Sequence, residues 1–326
     1  MTASHLDGIK SLLDHAPPIA HLDIRSNRLA FTARHSAFWN FVKEDYLAAF
    51  IHGCRTRIDA DDIVLWRSAG LVLTSQGQLV THGASENMVG LDIDPQSVDT
   101  ISNALVWIMC RLMNLLAHDK QDVSSASGPP SSYFDPRIGQ SGRSSSSQDV
   151  HSTWDVISQV LDSWFQDLPE TFRLCLRVHS QSSTSIADRR LFEESYYSIP
   201  MCAATLQHYH FARILLLLNK PVSPVSQGSS MRSRLQAYRQ VSKNVEKHAR
   251  EICGIAISRP PSRVRIHMVQ PLYAAGLCLE QSEERKMVLE LLQDIEEELG
   301  WPTRYRIKAL KDEWGWEEGS SIINVE

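Results

Sequence analysis

The stretch Asp59-Ala60-Asp61-Asp62 places three carboxylates within four positions. Such a cluster could act as a general acid toward an alkene if an apolar, hydrogen-bonded pocket kept one carboxyl protonated. In its context RTRIDADDIVLW (55–66), Asp61 or Asp62 equally fits the cap of a helix start. Thirteen histidines raise a metal reading. The densest pair, His208 and His210 in QHYH, stands at i and i+2, positions that point to different sides of a helix, so neither a metal nor another cofactor is expected. Six cysteines at 54, 110, 175, 202, 253 and 278 lack any CxxC spacing, and Cys253 and Cys278, the nearest two, have twenty-four residues between them. In apolar neighbourhoods such as VWIMCRLM they read as small buried hydrophobes of a reducing compartment. The signatures GxGxxG, GxxxxGK, HExxH and GxSxG are missing, so no catalytic residue is assigned.

Two further stretches bear on binding rather than catalysis. Over 231–258, Leu235, Tyr238, Val245, Ala249, Ile252 and Ala256 form one stripe, while Arg232, Arg239, Lys243, Lys247 and Arg250 gather roughly opposite at about 100° per residue. The basic side reads first as a solvated face and second as a polyanion or partner surface. The segment GWPTRYRIKALKDEWGW (300–316) holds three tryptophans. Gly300 should close one helix, Pro302 and Thr303 should open the next, and Ile307, Leu310 and Trp314 share a face. This predicts a terminal clamp in which Trp301 and Trp314 are buried, each worth about 3–5 kcal/mol, rather than a platform for stacking bases.

These residues need helices to position them, and helical periodicity dominates the chain. Phe38, Val42, Tyr46 and Ala49 recur at steps of four and three, flanked by Trp39 and Phe50. Residues 95–118 open with a proline suited to a first turn and stay apolar on most sides. Trp154, Ile157, Leu161 and Trp164 form a stripe after a Ser152 or Thr153 cap, with Pro169 as the stop. Residues 189–221 read as one long helix kinked at Pro200, after a polar loop at 178–189. Further helices are expected at 263–281 and 283–300. Strand signals are confined to DIVLW (62–66) and LVLTSQGQLV (71–80). Ten of the thirty-one residues from 120 to 150 are serine, which predicts a disordered linker or insertion. The fold class is therefore all-α, a large irregular helical domain.

Composition narrows the function classes. With 326 residues and 43% hydrophobic content, the chain can build a real core. A formal net charge of −5 argues against a general polyanion-binding field. The opening residues lack the pattern of a secretory signal, which predicts a protein that stays inside the cell. The purely apolar runs ALVWIMC (104–110) and ILLLL (214–218) fall short of the ~20 residues of a membrane span, so no membrane helix is expected.

Several of these segments together resemble one family. HSAFWNFVKEDYLAAF resembles a segment in which an aromatic pair precedes a helix ending in Asp-aromatic-x-Ala. WDVISQVLDSWFQDLPETF matches a Trp/Leu helix followed by Pro and Phe, here Trp154, Trp164, Pro169 and Phe172. SIPMCAATLQHYHFARILLLLNKP carries an aromatic-His-x-Ala-x-x-Leu-Leu pattern at Tyr209, His210, Ala212, Leu215 and Leu216. QPLYAAG, ERKMVLELLQDIEEELGWPT and RIKALKDEWGW follow in order. Over residues 28–316 the chain thus resembles the fungal-specific transcription factor domain, the helical regulatory module of fungal zinc-cluster transcription regulators.

The resemblance implies a nuclear, non-enzymatic regulator of a catabolic or secondary-metabolite gene set. Its implied partners are other transcription regulators or co-regulators, a homo- or heterodimer mate, or a small-molecule inducer, with no membrane. The DNA-binding part of such regulators holds two zinc ions with six closely spaced cysteines, whereas the six here spread over more than two hundred residues. DNA contact is then expected only indirectly, unless a zinc cluster was lost or left out of the gene model. The organisation that follows is a lead-in (1–27), a first helical part (28–119), the linker (120–150), a second helical part (151–316) and a tail (317–326). Two alternatives remain. One is a helical enzyme of specialised metabolism, since DADD resembles the DxDD acid of class II terpene cyclases. The other is a non-DNA-binding paralogue that dimerises by pairing basic 232–250 with acidic QDIEEE (293–298).

Overall fold

A computed structural model of the chain describes residues 6–8, 10, 11, 28–80, 95–124, 146–178, 191–221 and 230–316. They are almost entirely helical and fall into two compact units, Met1–Thr171 with Leu218–Ser229, and Phe172–Leu217 with Ser230–Glu326. Of the serine-rich stretch, 125–145 lies outside the described residues, as do 12–27 and the tail from 317.

The first unit is built on α1 (Arg28–His52), α2 (Ile63–Ser68), α3 (Pro95–Ser124) and α4 (Ser146–Gln166). Helix α3 packs on both α1 and α4. The predicted stripes supply the contacts: Phe38, Trp39, Val42, Tyr46, Ala49 and Phe50 of α1 are buried, as are Trp154, Ile157, Leu161 and Trp164 of α4. Pro95 takes the first position of α3 as expected, and α4 ends before Pro169. Helix α4 begins at Ser146, however, so Ser152 and Thr153 lie inside it rather than capping it.

Length and composition alone would let Val98–Ala117 of α3 cross a membrane, at a mean hydropathy of 1.4. Short runs such as ALVWIMC understate it, because Ser102, Arg111 and Asn114 interrupt an otherwise apolar helix. With 67% of the segment buried in the fold, it is a core helix.

A fully buried carboxylate organises the turn after α1. Asp45 Oδ2 accepts the backbone N–H groups of Arg57 at 2.7 Å and Ile58 at 3.0 Å, and Oδ1 accepts Nη1 of Arg57 at 3.2 Å. Arg57 Nε also donates to Asp7 at 2.5 Å, which ties the lead-in to this unit beside buried Leu6. Burial pushes the Asp45 carboxyl upward, and the three donors oppose that shift. Indole N–H groups hold the following loop: Trp66 donates to the Asp59 carbonyl at 3.0 Å, Trp107 to that of Ala60 at 3.0 Å, and Trp39 to that of Ala69 at 3.2 Å.

The loop so held corrects one expectation. DIVLW is helical, because Asp62 Oδ1 accepts the N–H of Leu65 at 3.0 Å and starts α2 as a cap. The second strand candidate, 71–80, forms a tight turn with a single bridge between Leu73 and Leu79.

The second unit holds β1 (Leu176–Val178), β2 (Glu194–Tyr196), α5 (Pro200–Leu218, to Leu217), α6 (Met231–Ile257), α7 (Ser262–Arg265), α8 (Val269–Cys278), α9 (Ser282–Leu299) and α10 (Arg304–Trp314). Strands β1 and β2 pair antiparallel, with Arg177 opposite Ser195. Strand β2 takes the place of the first part of the long helix expected at 189–221, whereas nearly all of the polar loop expected at 178–189 lies outside the described residues. Pro200 sets the start of α5 instead of kinking it, since the first turn needs no N–H there. The helix expected over 263–281 is likewise divided into α7, a 3-10 turn (Ile266–Met268) and α8, whose Pro271 cannot donate a helical bond back toward that turn.

Helix α8 is the hub, packed by α6, α9 and α10. Two glycines permit close approach. A Cβ on Gly276 would lie 3.0 Å from both methyls of Leu310, and one on Gly254 would lie 2.3 Å from the backbone oxygen of Glu193.

Two stability outcomes follow. Asp45→Ala takes the acceptor from the N–H groups of Arg57 and Ile58 and one of the carboxylates from the Arg57 guanidinium, and urea unfolding should show a loss of about 3–5 kcal/mol. Gly254→Ala forces β2 off α6, and should lower stability by about 1–3 kcal/mol in the same measurement.

Candidate interaction surface

Helix α6 begins with Ser230, whose Oγ accepts the N–H of Ser233 at 3.2 Å. From Val245 onward its apolar stripe is core: Val245, Ala249, Ile252, Cys253 and Ala256 are buried. Before that the helix stands clear. Every residue from Met231 to Gln240 is exposed, and Leu235 and Tyr238, expected in the core stripe, lie in solvent at 47% and 69% exposure. The stripe runs the full length of the helix, but among the described residues nothing packs over its first turns.

The five basic residues read from the sequence are divided by the same geometry. Arg232 and Arg239 sit on the free end. Exposed Lys243 and Lys247 line the wall of a cleft of about 670 Å³, with Arg177, Leu191, Phe192 and Glu251 among its other walls. Arg250 is no part of a free face. Its guanidinium pairs with buried Glu284 and, at 3.1 Å, with Glu246, and it lies 5.8 Å over the Phe192 ring.

Across the cleft floor Arg177 grips Glu251 with two bonds of 3.0 and 2.8 Å and reaches Glu193 at 3.2 Å. His210 and His248 face each other with Nδ1 atoms 2.9 Å apart, so one ring donates and the other accepts. Burial, then nearby Lys247, Arg177 and Arg213, lowers His210 from 6.5 to about 3. Burial and the His210 ring do the same for His248. No sequence signal marks contacts separated by 38 and 74 positions. The neighbouring His208 bonds instead to the Ala204 carbonyl at 2.9 Å.

The remaining candidates have structural uses. Asp59, Asp61 and Asp62 are all exposed. Asp59 accepts the N–H of Asp61 at 2.9 Å and Asp62 caps α2, so no apolar pocket encloses an acid there. Among the described residues no group of three or more metal-ligating side chains converges. Cys110, Cys202 and Cys253 are buried as expected, but Cys54 and Cys175 are exposed, because each lies in a loop rather than on a packed helix face.

The expected clamp also changes. Trp301 is 39% exposed and Trp314 half-buried, stacked 5.1 Å from the Arg285 guanidinium. The inward contacts of α10 are Leu310, Thr303 and Arg306 instead. Thr303 Oγ1 donates to the Leu292 carbonyl at 2.9 Å, and Glu296 accepts the N–H groups of Thr303 and Arg304 at 2.8 and 3.0 Å. Those N–H groups hold the Glu296 carboxyl below its usual range. The corner at Gly300 turns through a left-handed backbone at φ 67°, which points Trp301 outward. The acidic segment 293–298 is used up locally too: Asp294 and Glu298 bind Arg259, Glu298 binds Arg265 at 2.5 Å, and Glu296 binds Arg304 at 2.8 Å.

No protein-family model matches the chain, and no solved structure matches it. A curated protein, "Transcription activator AMTR1" of Alternaria alternata, is similar to it, with 36% identity over 301 residues. The match covers 91% of this chain and 38% of that protein, so the chain spans well under half the length of the relative it matches.

Thermal unfolding of two variants distinguishes the contacts that close α10. Leu310→Ala should cost about 2–5 kcal/mol, and Trp301→Ala no more than about 0.5 kcal/mol. The histidine pair makes stability pH-dependent. Its folded values lie below the ordinary 6.5, so its contribution is complete above pH 6.5 and is lost as pH falls toward 3. Denaturation at pH 5 against pH 7 should show a loss on the order of 2 kcal/mol that His248→Phe reduces.

Proposed function

We propose that this chain is the helical effector module of a fungal transcription regulator, an activator that works in the nucleus through partner proteins. The observation that carries this reading is similarity along 91% of the chain to a protein named as a transcription activator. The motifs that resemble the fungal-specific transcription factor domain support it, since Phe38, Trp39, Trp154, Trp164, Tyr209, Ala212, Leu215 and Leu216 are all core positions. A shared pattern of that kind specifies a fold rather than a reaction. The exposed, capping aspartates of DADD favour regulation over a helical cyclase.

In this reading the gene set is catabolic or belongs to secondary metabolism. DNA is reached through a partner, or through a zinc cluster outside residues 1–326. The cleft of the second unit has the volume of ordinary small-molecule sites, and Lys243 and Lys247 on its wall suit an inducer that carries an anionic group. The chain joins other regulators as a hetero- or homodimer.

A heterologous DNA-binding domain fused to the full chain, tested on a reporter in a fungal host, examines the reading. Reporter output several-fold above that of the DNA-binding domain alone is expected. An intact nuclear fusion with no more output than that domain would overturn it.

A further inference from the structure

The free end of α6 combines two features that the other described residues do not use. The first is apolar. Met231, Leu235 and Tyr238 are 86%, 47% and 69% exposed. At 100° per residue they fall within an arc of about 60° that continues the sector of Val245 and Ala249, which are core. A stripe that packs at one end of a helix and meets water at the other is built for a contact, because its exposed turns gain nothing from solvent.

The second is charge. From Ser230 to Val245 the helix carries Arg232, Arg234, Arg239 and Lys243 and no acidic residue; the first carboxylate is Glu246. Arg232, Arg239 and Lys243 lie within an arc of about 40° that starts beside Leu235, so at this end the basic residues flank the apolar stripe rather than oppose it. None of Arg232, Arg234, Arg239 and Lys243 makes an ion pair among the described residues, whereas Arg250, Arg259 and Arg265 further along are all taken up by Glu and Asp partners.

We propose that the free end of α6, Met231–Gln240, docks an acidic amphipathic segment of another protein. Aliphatic side chains of that segment cover Met231, Leu235 and Tyr238, and its carboxylates flank them to meet Arg232 and Arg239. Charge complementarity selects this occupant. A second copy laid along the same helix would bring two sets of basic side chains within a Debye length of about 8 Å, where they repel. A nucleic acid would satisfy the cations and leave the apolar stripe in water. A bilayer would take both, but three side chains along about 15 Å of helix give less apolar area than stable anchoring needs. An acidic helix laid in such a groove uses both features at once.

The proposal rests on the regulatory reading only in taking the partner to be a co-regulator; the binding itself is tested on the purified full chain. The probe is a fluorescein-labelled amphipathic peptide of leucine and glutamate, with leucines at i, i+3, i+4 and i+7. Three competitors accompany it: a scrambled peptide of the same composition, a duplex DNA, and vesicles containing phosphatidylserine. Anisotropy should show the amphipathic peptide binding at least about ten-fold tighter than the scrambled one, a difference of about 1.4 kcal/mol. Leu235→Ala with Tyr238→Ala should weaken it about ten-fold, and Arg232→Glu with Arg239→Glu should weaken it and flatten its salt dependence. All four side chains are exposed, so melting temperatures should not change. Equal binding of the scrambled peptide, tighter binding of DNA or vesicles, or indifference to the Leu235/Tyr238 pair would each overturn the proposal. A reporter that fails while the peptide binds would count against the regulatory reading alone.

Discussion

The first unit depends on one buried carboxylate. Asp45 sits with no exposure to solvent on the inner face of α1 and accepts both N–H groups of the Arg57–Ile58 turn as well as the Arg57 guanidinium. A charge in that position is tolerable only while all three donors are in place, so the turn has one conformation available to it. From that fixed point the chain continues to Ala60 and Ala69, where the indoles of Trp107 and Trp39 take up backbone carbonyls. The Asp-aromatic-x-Ala element of the resemblance thus has a physical meaning. The aspartate sets the loop, and Tyr46 and Ala48 of the same element are buried in the core.

The second unit is held differently, around the short apolar helix α8, and its rim is locked by ion pairs. Arg259 bridges Asp294 and Glu298, Arg265 adds to Glu298, and Glu296 caps the start of α10. Each of these pairs joins elements close to α8. The first turns of α6 lie beyond their reach, and there, among the described residues, both the apolar stripe and the basic residues go unused. The same helix therefore serves as core at its C-terminal end and as a presented surface at its N-terminal end, which is the property the docking proposal draws on.

The sequence revealed helix type and inner faces where the periodicity was long. The stripes of α1 and α4 emerge with the residues read for them, and Gly300 closes α9 as expected, in a left-handed conformation. It misled where short segments are decided by partners far away. β2 is a strand because Leu176–Val178 lies beside it, and the mixed segment LFEESYYSI preceding Pro200 gave no hint of that pairing. Leu235 and Tyr238 carry the period of a core face, but periodicity says which side of a helix is apolar and not whether anything covers it. The aromatic ending misled for a related reason. Composition marked Trp301 for burial, while the geometry of one glycine corner turned it outward. The cleft with its Arg177–Glu251 contact, and the His210–His248 pair, depend wholly on tertiary proximity and have no local signature.

In the function proposed, the chain regulates transcription through a surface that its described residues leave uncovered. Transcript sequencing in a strain lacking the chain, complemented either by the native sequence or by the Leu235→Ala, Tyr238→Ala variant, tests it most directly. The account predicts a defined set of transcripts that falls on deletion, returns with the native chain, and stays low with the variant at equal protein level. Transcripts unchanged by deletion, or restored equally by both chains, would contradict it.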